Sequence, residues 1–139
     1  MATILCVDDD PQMGPLISRI LEEQGHQVSL ACNGKEGEAI LKWHPVDLLI
    51  TDVLMPDMDG IELLLKLSAM ATIPRVLVIS GGGRYHSGRT VLNMARMMGV
   101  RHTLLKPFTR GALLDAVHHV LEEPPDLLPI SSDEPRRQT

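Results

Sequence analysis

Aromatic side chains are scarce in this chain: one Trp, one Tyr and one Phe make up 2% of its 139 residues. Nucleic-acid surfaces rely on stacking rings and a basic stripe, and a formal charge of -5 takes away the second support as well. Direct binding of DNA or RNA is therefore not expected. Long hydrophobic runs are also missing. None approaches the roughly 18 to 20 apolar residues that span a bilayer, and the opening "MATILCVDDD" meets three acids where a signal peptide would extend its apolar stretch. No membrane insertion and a cytoplasmic location follow as expectations. Cysteine is limited to Cys6 and Cys32, without C-x-x-C spacing. Both read as small hydrophobes within predicted strands, as befits a reducing compartment.

What is present is the composition of an ordinary globular domain, 44% hydrophobic and 22% charged. A chain of this length forms one core and buries roughly two-thirds of its unfolded surface. Short apolar runs alternate with longer amphipathic stretches, the pattern of a parallel sheet covered by helices on both faces. Strands are predicted at Thr3–Val7, Gln27–Ala31, Asp47–Thr51, Arg75–Ser80 and His102–Leu105. The first helix carries Leu16, Ile17, Ile20 and Leu21 at helical spacing, with Pro11 in its opening turn and Gly25 placed to end it. Further helices are expected over 34–43, 59–69 and 88–98. A last one carries Leu113, Leu114, Val117, Val120 and Leu121 on a single face. Residues 1–122 thus form the expected domain. Residues 123–139 hold four of the ten prolines and no periodicity, and read as a flexible tail too short for an output domain.

The chemistry gathers at the strand ends. In a parallel α/β sheet the C-terminal ends line one edge, where ligands bind at a switch in strand order. That edge receives Asp8, Asp9 and Asp10 from the first strand, Asp52 from the third, Ser80 from the fourth, and Lys106 and Pro107 after the fifth. Several carboxylates in one crevice either raise a pKa or hold a cation. Oxygen-only donors suit a hard cation such as Mg²⁺, and no Cys or His stands at these ends to suggest zinc. Lys106 and the Ser80 hydroxyl are suited to an incoming phosphoryl group. Asp52 is the candidate nucleophile, because carboxylates form acyl phosphates when a metal offsets the charge.

Over residues 3 to 122 the sequence resembles the receiver domain of bacterial two-component response regulators. The resemblance rests on "ILCVDDDP", "LLITDVLMPDMDG", "VLVIS" and "LLKPF", four motifs in the right order on the right strand ends. It implies a flavodoxin-like, doubly wound (β/α)5 fold with strand order 2-1-3-4-5. It further implies that Asp9 binds Mg²⁺ directly and Asp8 largely through water, with Asp10 outside the innermost ring. Asp52 and the backbone carbonyl of Leu54 complete the protein's share of the metal shell. Asp52 accepts a phosphoryl group from a histidine kinase or phosphotransfer protein, which Ser80 and Lys106 then grip. The Lys106-Pro107 bond is often cis in the family, as the low cis cost of X-Pro bonds permits. The implied product is not an enzyme with a free substrate but a regulator that signals through contact with a downstream protein. Neither the kinase nor the target is written in the sequence, and a homodimer stays open.

Two departures from the family pattern stand out. Receivers usually carry Tyr or Phe three residues before the lysine, where this chain has Thr103. His102 beside it reads as an exposed, inert strand-end residue. The stretch "SGGGRYHSGRT" after the fourth strand is longer than usual, and three glycines in a row, Gly81–Gly83, lower the backbone restriction there. That loop is expected to order on phosphorylation or partner binding. It lacks the G-K-[ST] ending of a P-loop. Leu54 and Gly82, two positions after Asp52 and Ser80, offer no group to orient a hydrolytic water. His118 and His119 face different directions on a helix and cannot share one metal.

Two other functions compete. "VDDDP" contains the Asp-x-Asp of haloacid dehalogenase-type phosphohydrolases, but Gln12 stands where that motif wants Thr or Val, and there is no length for a cap domain. A pseudo-receiver that binds partners without phosphorylation is disfavoured because every required side chain is present. The partner surface implied by the family is the fourth helix, fifth strand and fifth helix, here presenting His102, Thr103, Arg110 and "NMARMMG"; Met97 and Met98 read as core.

Overall fold

A computed structural model describes residues 1–52, 60–67, 69–70, 73–80, 96 and 99–123; of Gly60, Ile61 and Ser80 it describes the backbone only. Five strands, β1 (Thr3–Val7), β2 (Gln27–Ala31), β3 (Leu48–Asp52), β4 (Arg75–Ser80) and β5 (Thr103–Leu105), form one parallel sheet in the order β2-β1-β3-β4-β5. The described helices are α1 (Met13–Glu22), α2 (Gly34–Trp43), α3 (Gly60–Leu67) and α4 (Arg110–Glu122).

Alternation along each strand divides the core in two. Ile4, Cys6, Leu48, Ile50, Leu77 and Ile79 meet Ile17, Ile20 and Leu21 of α1 and Leu113, Val117 and Val120 of α4. Leu5, Val7, Leu49, Val76 and Val78 meet Leu63, Leu64 and Leu67 of α3. Because β3 is covered on both faces it reads as an unbroken apolar run rather than an alternation, and all five of its residues are buried.

Local chemistry sets the helix ends. Pro15 lies in the first turn of α1, where its missing N–H has no intrahelical partner to lose. Gly25, at φ +92°, closes the turn after α1 with its N–H donating to the Glu22 carbonyl. Asn33 caps α2 by accepting from the Glu36 N–H at 2.9 Å, and Glu36 in turn accepts from the Cys32 N–H at 2.7 Å. Thr109 caps α4 through the Ala112 N–H at 3.0 Å.

Several expectations shift. The third strand begins at Leu48, not Asp47, although the Asp47 N–H still donates to the Thr3 carbonyl at 2.8 Å while its side chain accepts from the Thr3 N–H at 2.9 Å. Its far end gains Asp52, which pairs with Ile79. The fifth strand begins at Thr103 rather than His102. Leu16, expected on the buried face of α1, is 43% exposed. Cys32 is not in a strand: it follows β2, is exposed, and its Sγ donates to a Glu36 carboxylate oxygen at 3.1 Å. His102 is half-buried rather than exposed. Its Nε2 lies 3.1 Å from a Glu123 carboxylate oxygen without the alignment of a hydrogen bond. The helix expected over 88–98, including Met97 and Met98, lies outside the described residues apart from Arg96, which is helical. So do the Gly81–Gly83 loop and the tail beyond Glu123. No helix among the described residues is long and apolar enough to cross a membrane.

Candidate functional site

The strand order reverses direction at β1 and β3, so the C-terminal ends of these two strands flank the crevice. Asp52 ends β3 in the parity of Leu48 and Ile50, and Asp8 continues β1 in the parity of Ile4 and Cys6. Both carboxylates therefore leave the sheet toward the face that packs on α1 and α4. They are almost inaccessible, 4% exposed for Asp8 and 6% for Asp52, whereas Asp9 is exposed. One carboxylate oxygen from each of Asp8, Asp9 and Asp52 lies within 4.8 Å of the others.

Lys106 comes to this group from beyond β5. Its Nζ donates to Asp8 Oδ2 at 3.0 Å and to Asp52 Oδ2 at 2.8 Å. The Lys106-Pro107 bond that follows is cis. Burial opposes the ammonium, but hydrogen bonds and charge from Asp52 and Asp8 outweigh it and raise the Lys106 pKa above the ordinary lysine value. Burial raises the Asp8 pKa, against the opposing pull of the Asp10 N–H and of Lys106. Asp9 is raised by partial burial and then by the charge of Asp52. Three carboxylates with one ammonium leave a net negative cluster of oxygen donors. That donor set fits a small hard cation with space left for waters and phosphate oxygens.

Asp10 serves the loop instead of the cluster. Its N–H donates to Asp8 Oδ1 at 2.9 Å, and its own Oδ1 accepts from the Gln12 N–H at 2.9 Å. The two bonds form successive Asx turns that lead from β1 into α1. The structure thus brings together Asp8, Asp9, Asp52 and Lys106 as expected and leaves Asp10 aside. Ser80 ends β4, paired with Leu105; its side chain and Leu54 lie outside the described residues. At Thr103, where the aromatic residue was missing, the hydroxyl accepts a hydrogen bond from Arg96 Nη2 at 3.0 Å. Sequence reasoning passed over Thr51, the one hydroxyl in the run before Asp52, although its polarity in that place was a readable signal.

Comparison with known proteins agrees with this geometry. Residues 4–118 match the model of the response regulator receiver domain. The chain belongs to that family. Protein PilH of Pseudomonas aeruginosa is 32% identical over 124 residues, covering 87% of this chain and 98% of PilH. The transcriptional regulatory protein GlrR of Escherichia coli is 32% identical over 122 residues, but this receiver chain spans only 27% of its length. Among solved structures, the chemotaxis response regulator CheY4 of Vibrio cholerae superposes with a TM-score of 0.77 at 27% identity, covering 87% of this chain and 99% of CheY4. The phosphohydrolase alternative finds no support in these relationships. In that chemistry Asp52 would have no work, yet it stands inside the carboxylate group.

Proposed function

We propose that residues 1–122 act as a phosphorylation-switched receiver in which Asp52 takes a phosphoryl group from a histidine kinase or phosphotransfer protein. The observation that carries this reading is the bridge from Lys106 to both Asp8 and Asp52, with Asp9 alongside. An Asp52 carboxylate oxygen attacks phosphorus as the P–N bond to the donor imidazole breaks, and the imidazole leaves with the electron pair. Lys106 orients the acceptor carboxylate and keeps a positive charge beside the oxygens that become more crowded with negative charge. Asp8, Asp9 and Asp52 would hold Mg²⁺, with the Leu54 carbonyl, and the bound ion supplies the remaining charge neutralisation. Ser80 is the hydroxyl assigned to a phosphoryl oxygen. The output is contact with a downstream protein, as a stand-alone unit or as part of a larger regulator.

The test is incubation with radiolabelled acetyl phosphate and Mg²⁺, followed by mapping of the label. Label at Asp52 that is lost in Asp52→Asn supports the receiver reading. Asp52→Asn that labels like the wild type, or label at Asp8 with turnover of phosphate esters, overturns it.

A further inference from the structure

Among the described residues three polar side chains are buried: Asp8, Asp52 and Thr51. Two belong to the carboxylate group, and the third is adjacent to it in sequence while facing the other way. Thr51 shares the parity of Leu49, and so lies on the sheet face that α3 covers. It is wholly inaccessible. A valine would fill the same volume there without a hydroxyl to desolvate, so packing alone gives no reason for threonine.

The hydroxyl is used. Thr51 Oγ1 donates to the backbone carbonyl of Asp52 at 2.8 Å. Asp52 is the last residue of β3 and pairs with Ile79, so its carbonyl stands at the C-terminal end of the strand. A hydrogen bond from the face that α3 covers fixes the direction of that carbonyl, and with it the ψ torsion at the Asp52 Cα. The Asp52 carboxylate on the opposite face is thereby held where Lys106 reaches it at 2.8 Å.

We infer that Thr51 is a positioning residue for the acceptor, its buried hydroxyl anchoring the Asp52 peptide so that the carboxylate stays in register with Asp8, Asp9 and Lys106. The inference rests on the receiver reading for its meaning, while the geometry it describes concerns the carboxylate group itself. Side chains that hold a metal ligand from behind act through orientation, and their loss costs about 10-fold or more in metal affinity.

The experiment compares Thr51→Val, which keeps shape and loses the hydroxyl, with Thr51→Ser, which keeps the hydroxyl and loses a methyl group. Mg²⁺ binding is measured by calorimetry with the metal alone, phosphorylation by the initial rate with acetyl phosphate, and folding by thermal melting. Thr51→Val is expected to lose about 10-fold in Mg²⁺ affinity and a comparable factor in rate. Thr51→Ser should recover both even if it melts lower. Wild-type Mg²⁺ affinity in folded Thr51→Val overturns the inference, as does Thr51→Ser impaired as severely as Thr51→Val. Should Thr51→Val fail to fold, Thr51→Ala against Thr51→Ser gives the same contrast. A wild-type protein that binds Mg²⁺ but takes no label at Asp52 defeats the receiver reading instead, and the Mg²⁺ comparison still decides the role of Thr51.

Discussion

Lys106 and Asp52 are 54 residues apart in sequence and 2.8 Å apart in space, joined by an ammonium that also reaches Asp8. Removing the ammonium takes its charge away from two nearly inaccessible carboxylates that lie side by side. Lys106→Met is therefore expected to lose on the order of 3 kcal/mol of stability in EDTA, the usual scale for breaking one side of a buried pair. Added Mg²⁺ should narrow the gap to wild type, because a bound cation restores the missing positive charge. Urea unfolding with and without the metal checks both parts, and an equal gap under the two conditions contradicts them.

Asp9 gives the opposite sign. Its charge is opposed by partial burial and by Asp52, and Lys106 donates to its neighbours in the cluster, Asp8 and Asp52. Asp9→Asn should raise the melting temperature in EDTA by relieving like-charge repulsion. The same substitution should weaken Mg²⁺ binding by more than the roughly tenfold that loss of an outer partner costs. A variant that melts lower without metal would mean that Asp9 contributes to the fold and not to a charge cluster held for a cation.

Much of this arrangement is legible in the sequence. Parallel strands covered on both faces announce themselves as apolar runs, and β1, β2 and β4 begin and end where the sequence put them. The strand-end acids and Lys106 could be brought together because edge chemistry follows from strand direction alone. Misreadings fell where tertiary contacts decide. Asp47 falls one residue outside the strand, its side chain folded back to accept from the Thr3 N–H. Leu16 kept helical spacing yet faces solvent. Cys32 sits past the strand, bound to Glu36. Half-buried His102 meets Glu123, a residue from the far end of α4 that no local pattern connects to it. The close approach of α2 to the sheet was equally invisible, since it depends on the partner facing one glycine.

That glycine is Gly37. A Cβ placed on it would lie 2.8 Å from Val7 Cγ2, too close for either atom to stay in place. Val7 immediately precedes Asp8, so a shifted strand end would disturb the carboxylate group. Gly37→Ala is expected to cost about 1–3 kcal/mol through overpacking. Val7→Ala should relieve part of that cost in the double variant, making the pair less destabilised than the sum of the two changes. Additive losses in chemical denaturation would show that the helix and strand do not compete for this space.

His26 makes stability depend on pH at the other edge of the sheet. Its Nδ1 accepts from the Ala2 N–H at 3.0 Å, which requires an unprotonated nitrogen. Burial, then the N-terminal ammonium and His118, hold its pKa below the ordinary 6.5. The folded protein therefore binds this proton less readily than the unfolded chain does. Above the ordinary value both states are neutral at His26 and the contribution to stability is complete. As the pH falls through 6.5 toward the lowered folded value, the unfolded chain gains the proton first and the contribution is lost. An NMR titration should place the His26 ring below its ordinary value, and melting of His26→Gln should respond less to acid over that interval than wild type. A ring that titrates at or above the ordinary value would mean that the Ala2 N–H does not hold it neutral.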